Sequence, residues 1–158
     1  MERISIDVGL KTYEVCDADG NVLGTVTINP SDMGMVGRAP EAMENIQALA
    51  EKAKKVETDI KNSNEMDAAK TIAEIDRSIK EQIDYIFGSS VSDVLFGGVS
   101  CLTTCDNGSM VLENVLNALE PIIKVSRETA NANRQKRIAA HTAKYAGHSA
   151  GLAPGQRV

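Results

Sequence analysis

The sequence TIAEIDRSIKEQIDYIFG at positions 71–88 has isoleucine at every third or fourth position, at 72, 75, 79, 83 and 86. This spacing places the isoleucines on one face of an α-helix, and Gly88 is a typical C-terminal stop. An upstream stripe has the same period, and charged residues fill its other faces. Its members are Ile46, Leu49, Ala53, Val56 and Ile60. The sequence therefore predicts two amphipathic helices.

The link between the two stripes is short, with a break at 62–64 in which Ser63 or Asn64 is a candidate cap. Helices joined in this way are expected to pack antiparallel. The apolar stripe must be buried, either within a self-contained hairpin or in an intermolecular bundle.

Residues 2–28 carry the alternation of β-strands. Ile4, Ile6 and Val8 alternate with polar residues, a second run covers 12–16, and a third covers 22–28. The sequence DADGN at 17–21 predicts a tight turn, since it lacks the flanking helices and the twelfth-position Glu of a calcium loop. The prediction is an antiparallel β meander that needs a helix to cover its apolar face. The NPSD sequence at 29–32 then ends the last strand and caps a helix, although Gly34, Gly37 and Pro40 interrupt the apolar pattern before residue 42.

After Gly88 the pattern predicts a short helical turn over 89–98 that two glycines end, and a loop over 102–108. A last helix follows from Ser109, a candidate cap, through Ile123. Pro121 removes a backbone donor and should kink or divide this helix. The helix is predicted to continue to about residue 145, with no contribution to the core after Val125. The final dozen residues are expected to be disordered.

These elements predict an α+β fold. A single domain covers 1–125 and consists of a β meander (1–30), a helical hairpin (31–88), and a short helical turn with a kinked C-terminal helix (89–125). A basic helical extension and flexible tail cover 126–158. The length of 158 residues suits one domain.

Charge and composition restrict the function. The net charge is −5, but residues 124–158 carry about +6 and residues 1–123 carry about −11. Such a basic tail suits contact with an acidic partner, and a solvated tail that keeps the chain soluble is the plain alternative. Aromatic residues make up 3% and Trp is absent, which argues against nucleic-acid stacking. No apolar run approaches the roughly 20 residues of a membrane span, and no signal peptide is expected.

No catalytic or metal constellation emerges. The three cysteines are odd in number and do not match a zinc knuckle, so idle thiols in a reducing compartment are expected. His141 and His148 lack a nearby acid, and the carboxylates of 41–84 alternate with lysines as on solvated helix faces. We therefore expect no enzyme, no cofactor and no metal.

Two motifs resemble a known family. They are IDYIFG at 83–88 and DVLFG at 93–97, and the strand-to-helix joint INPSD at 28–32 and a closing helix at 111–123 that ends in LNALEPII accompany them. Together they resemble the tail assembly chaperones of long-tailed (siphovirus-type) bacteriophages and prophages, over residues 22–125. The basic tail after Lys124 departs from that pattern.

This resemblance implies a non-enzymatic phage protein in the host bacterial cytoplasm that shields the helical tape measure protein during tail assembly. Adaptable apolar helix faces are the predicted partner-binding residues: Ile46, Leu49, Val56, Ile72, Ile79, Ile83, Leu116 and Leu119. Basic tail contacts are predicted at Arg134, Lys136 and Arg137. Other tail proteins and a second copy of the chain are further candidate partners. The alternatives are a structural subunit of the phage tail or virion, and a phage-encoded inhibitor of a host protein.

Overall fold

The chain forms an N-terminal β-hairpin followed by four helices. The structure is a computed structural model and describes residues 1–59 and 64–149, apart from the side chains of 146–149. The strands are β1 (Lys11–Cys16) and β2 (Val22–Ile28), and the helices are α1 (Met33–Asp59), α2 (Glu65–Phe87), α3 (Ser92–Leu95) and α4 (Val111–Ser149). This architecture confirms the α+β prediction.

The sheet has two strands rather than the predicted three. β1 pairs antiparallel with β2, with Tyr13 opposite Val26 and Thr12 opposite Thr27. The turn between them is the predicted one, because Asp17 Oδ1 accepts hydrogen bonds from the backbone N–H groups of Asp19 and Asn21. The strand predicted over residues 4–8 is wrong as part of this sheet, since residues 1–10 lie in no strand and are exposed.

α1 begins nine residues before the predicted start of its apolar period. Asp32 Oδ1 accepts a hydrogen bond from Gly34 N–H at 2.8 Å, as predicted for a residue that caps the first turn. The Arg38 guanidinium then donates to the Ile86 carbonyl at the end of α2 and forms an ion pair with Asp32 at 2.8 Å. These contacts stabilise the start of a helix that has Gly34 and Gly37 in its first two turns, and Pro40 also lies within the helix.

α1 and α2 form the predicted antiparallel hairpin. Arg38 meets the last turn of α2, and Asn45 donates to Gln82 one turn earlier in α2, so the two helices run in opposite directions. Asn64 caps α2 by accepting from Met66 N–H, and Gly88 ends it with a positive φ of 64°. Both confirm the sequence prediction, whereas Ile60 and Ser63 lie outside the described residues.

The core lies between the inner face of the hairpin, β2 and the start of α4. Its fully buried side chains include Ile79, Ile83 and Val91. Asp84 on α2 holds the next segment in place, because its carboxylate accepts from the N–H groups of Val91 and Ser92 and from Ser92 Oγ at 2.8–2.9 Å. α3 is the predicted short helical turn.

α4 runs for 39 residues and Pro121 lies inside it, so the helix is not divided there. It begins two residues after Ser109, which does not act as the predicted cap: Ser109 donates to Asn107 Oδ1 within the preceding turn. The helix is described through Ser149, and the disorder expected for the final dozen residues stays a prediction. Residues 150–158 lie outside the described part of the chain.

Candidate interaction surfaces

The predicted partner-binding faces of the hairpin and of α4 point into the core. Four of the eight side chains are buried: Ile46, Ile79, Ile83 and Leu119. The other four are half-buried: Leu49, Ile72 and Leu116 pack against the same core, and Val56 is the fourth. A partner could reach these faces only if the hairpin opened, so their binding role stays a prediction that the folded chain does not favour. The apolar stripe of the hairpin is buried within the same chain. Of the two alternatives left by the sequence, this is the self-contained hairpin and not the intermolecular bundle.

The basic tail residues lie on a helix that leaves the body of the protein. Among the described side chains of α4, Ser126 is the last buried one, and the side chains of residues 128–145 are all exposed. Arg134, Lys136 and Arg137 lie within this stretch, and no described acidic side chain is within ion-pair distance of them. The tail charge is therefore available to a partner.

The exposed part of α4 has two distinct sides. Arg134, Arg137, His141 and Lys144 follow at intervals of three, four and three residues, so they share one side. We call these four residues the basic stripe. The partly exposed Ile138 and Tyr145 flank it, and the Tyr145 ring meets the His141 ring edge to face at 4.6 Å. Lys136 lies about 100° around the helix from Arg137 and about 80° from Lys144, so it lies outside the basic stripe. The arrangement suits an elongated partner with acidic and apolar groups on one face.

The N-terminal residues form a second exposed surface that the sequence pattern did not identify as a surface. Met1, Ile4, Ile6, Val8 and Leu10 are 58–121% exposed. We call residues 1–10 the N-terminal arm. Two hydrogen bonds fix its base, from Gly9 N–H to Asp7 Oδ1 and from Asn29 Nδ2 to the Val8 carbonyl, both at 2.8 Å. The sequence showed the alternation of apolar and polar residues. It did not show whether the segment pairs with another strand of the same chain, because such pairing depends on residues far away in the sequence.

A polar groove between α2 and α3 concentrates ionisable groups, and their contacts are structural. Asp76 Oδ1 accepts from Cys101 N–H at 2.8 Å, and Oδ2 pairs with Lys80 at 3.0 Å. Burial opposes ionisation of Asp76, but these hydrogen bonds and Lys80 outweigh it and lower the pKa of the carboxyl group. Asp84 lines the same groove and is engaged by residues 91 and 92.

Cys101 next to this groove is a poor nucleophile. Burial, with the neighbouring Asp76, raises the pKa of its thiol to about 12. The thiol therefore stays protonated near neutral pH, and a thiolate is what nucleophilic chemistry requires. The groove anchors the 92–101 segment to α2 through hydrogen bonds and one ion pair.

Within residues 1–59 and 64–149, no group of three or more His, Cys, Asp or Glu side chains is arranged to hold a metal ion. Over the same residues, every helix is too short or too polar to pass through a lipid bilayer. Comparison with protein families, with characterised proteins and with solved structures found no match.

Proposed function

We propose that this chain is a non-enzymatic tail assembly chaperone of a long-tailed bacteriophage, which binds the helical tape measure protein in the host bacterial cytoplasm. The motifs at 83–88 and 93–97 support this proposal through their resemblance to that family. In the fold, these motifs form the end of α2 and the α3 turn, and Asp84 joins them.

The observation that carries the proposal is the free basic helix. Residues 128–145 project as 18 helical residues, about 27 Å at 1.5 Å per residue, with a basic stripe on one side. A helix of that length can lie along another helix over several turns, with Ile138 and Tyr145 supplying apolar contacts. Binding of this kind uses a surface that the folded chain leaves open, and it does not require the hairpin to separate.

Co-expression with the tape measure protein of the same tail gene module tests the proposal. The wild-type chain should raise the soluble yield of the tape measure protein, and the two should copurify at low salt. Reversing two charges of the basic stripe, Arg134→Glu with Arg137→Glu, should weaken copurification about tenfold, because the stripe would then repel an acidic partner surface.

Lys136→Glu is the control, since it reverses one charge on the same exposed helix outside the basic stripe. It should behave as the wild type. A tape measure protein that is equally soluble without this chain contradicts the chaperone role. A chaperone effect that survives Arg134→Glu with Arg137→Glu contradicts only the assignment of the surface.

A structural subunit of the tail or virion is the second candidate, and the N-terminal arm favours it. Exposed alternating apolar side chains suit a permanent contact between neighbouring subunits of a particle. Mass spectrometry of purified particles separates the two functions. A chaperone should be absent from finished particles, whereas a structural subunit should be present at a fixed stoichiometry.

A further inference from the structure

The N-terminal arm has the pattern of a β-strand without a strand partner. Its even positions from 4 to 10 are apolar, and its odd positions 3, 5 and 7 hold Arg, Ser and Asp. All of these side chains are exposed, and residues 1–10 take part in no strand of the described chain. Within the described residues no strand covers the apolar side or pairs these backbone N–H and C=O groups, and a second chain can do both.

We propose that the arms of two copies of this chain pair with each other as antiparallel strands, centred on Ser5. In this arrangement Ser5 lies opposite Ser5 of the second copy, Ile4 lies opposite Ile6, and Arg3 lies opposite Asp7. Each opposite pair occurs twice because of the two-fold symmetry. One face of the two-stranded ribbon carries the isoleucines, with Glu2 opposite Val8 at each end, and the other face carries two Arg–Asp pairs.

Charge and pattern select this register among the symmetric ones. Residues directly opposite each other in an antiparallel pair lie on the same face, so registers centred between two residues would set apolar against polar positions. Centring on Ile4 places Arg3 opposite Ser5 and Glu2 opposite Ile6. Centring on Ile6 leaves Asp7 opposite Ser5, and centring on Asp7 sets Asp7 against its own copy and Arg3 against Lys11. Among these registers, the one centred on Ser5 pairs Arg3 with Asp7.

The base of the arm is held in a way that leaves this strand free. Asn29 donates to the Val8 carbonyl, and Gly9 has a φ of 75° that favours glycine. A Cβ at position 9 would lie 2.8 Å from Asn29 Nδ2, so the close approach also requires glycine. Asp7 uses Oδ1 to accept from Gly9 N–H, and its Oδ2 remains available to Arg3 of the second copy. The sheet strand β1 starts only at Lys11, beyond this fixed point.

Cross-linking through the two-fold axis tests the register. In a full-length chain with Cys16→Ser and Cys105→Ser, Ser5→Cys should form disulfide-linked dimers under mild oxidation. Opposite Cα atoms in antiparallel strands lie about 4.5–5.5 Å apart, within disulfide range. Val8→Cys is the control outside the Arg3–Asp7 pairs, and its two copies would be about 20 Å apart along the strands. Comparable cross-linking of both variants, or of neither, overturns the register.

Charge reversal tests the partner. Arg3→Asp alone and Asp7→Arg alone should each weaken dimerisation about tenfold, because both opposite pairs become repulsive. An equimolar mixture of these two variants should dimerise as well as the wild type, since each acidic arm then faces a basic arm. Sedimentation velocity measures the dimer fraction, and circular dichroism confirms that each variant is folded. A mixture no better than its components overturns the proposal, as would a wild-type chain that stays monomeric at high micromolar concentration. If the arms docked instead on the β1–β2 sheet of a second copy, the mixture would dimerise no better than its components.

Discussion

Asp76 shows how one carboxylate connects distant segments of the chain. It accepts from Cys101 N–H 25 residues away and pairs with Lys80 one turn along α2. The hydrogen bonds and the cation stabilise the ionised form, so the pKa of Asp76 is lower in the folded chain than the ordinary 3.8. Folding therefore favours the carboxylate at this position.

This shift predicts an acid-sensitive contribution to stability. Because the folded pKa is the lower one, Asp76 contributes fully above the unfolded pKa of about 3.8, and its contribution is lost as pH falls through the folded pKa. The Asp76→Asn variant should have a lower free energy of unfolding than the wild type above about pH 5, and the difference should shrink below pH 4. Urea unfolding at several pH values measures it.

Glu74→Gln provides the control, since Glu74 is exposed on the same helix. A wild-type minus Asp76→Asn difference that stays constant down to pH 2.5, or matches that of the control, would contradict the role given to the Asp76 contacts.

Among the helices and strands, the sequence predicted correctly those features that depend on residues close together in the chain. The isoleucine stripe, the Asn64 cap and the Gly88 stop all act within a few residues, and the sequence reading of α2 is confirmed at both ends. The cap at Asp32 predicted where α1 begins, but its first turns are also held by Arg38, which reaches the Ile86 carbonyl 48 residues away. No local pattern contains that contact.

For the candidate surfaces too, the sequence predicted what neighbouring residues determine and not what distant contacts determine. The exposure of Arg134 and Arg137 was readable, because no apolar period accompanies them. The stripe of Ile79 and Ile83 was predicted to be buried, but the sequence left open whether the same chain or another one buries it. The arm was read as a strand of its own sheet, since alternation indicates a strand and says nothing about its partner.

Ile79 tests the hairpin as an element. It is fully buried in the middle of the α1–α2 contact. Ile79→Asp would place a carboxylate in this apolar layer at a cost comparable to the whole stability of a small domain, so we expect loss of the cooperative unfolding transition. Circular dichroism during urea titration measures it.

Two variants bracket that prediction. Ile79→Val should remain folded and lose about 1 kcal/mol of unfolding free energy, because it removes one methylene group. Arg77→Asp introduces the same acid on the exposed side of α2 and should leave the transition intact. A cooperative, wild-type-like transition for Ile79→Asp would mean that the hairpin does not pack through this stripe.

The whole molecule divides into an acidic body and a basic projection. Residues 1–123 carry about −11 and residues 124–158 about +6, and the described projection stands clear of the body that would attract it. At physiological salt, charges separated by more than about 8 Å are largely screened, so attraction to the body alone does not fold the helix back. Stability and partner binding should therefore be separable by truncation.

Truncation after Glu128 should leave the melting temperature within about 2 °C of the full-length value, because the described side chains that it removes are exposed. Deleting only 146–158 should likewise change it little. Truncation after Pro121 should lower it by several degrees, since it also removes the half-buried Ile122 and Ile123 and the buried Ser126. Calorimetry measures all three. The chain that ends at Glu128 should also lose copurification of the tape measure protein while staying folded. If its melting temperature falls as far as that of the shorter chain, the basic helix docks on the body, and it would not be free to bind a partner.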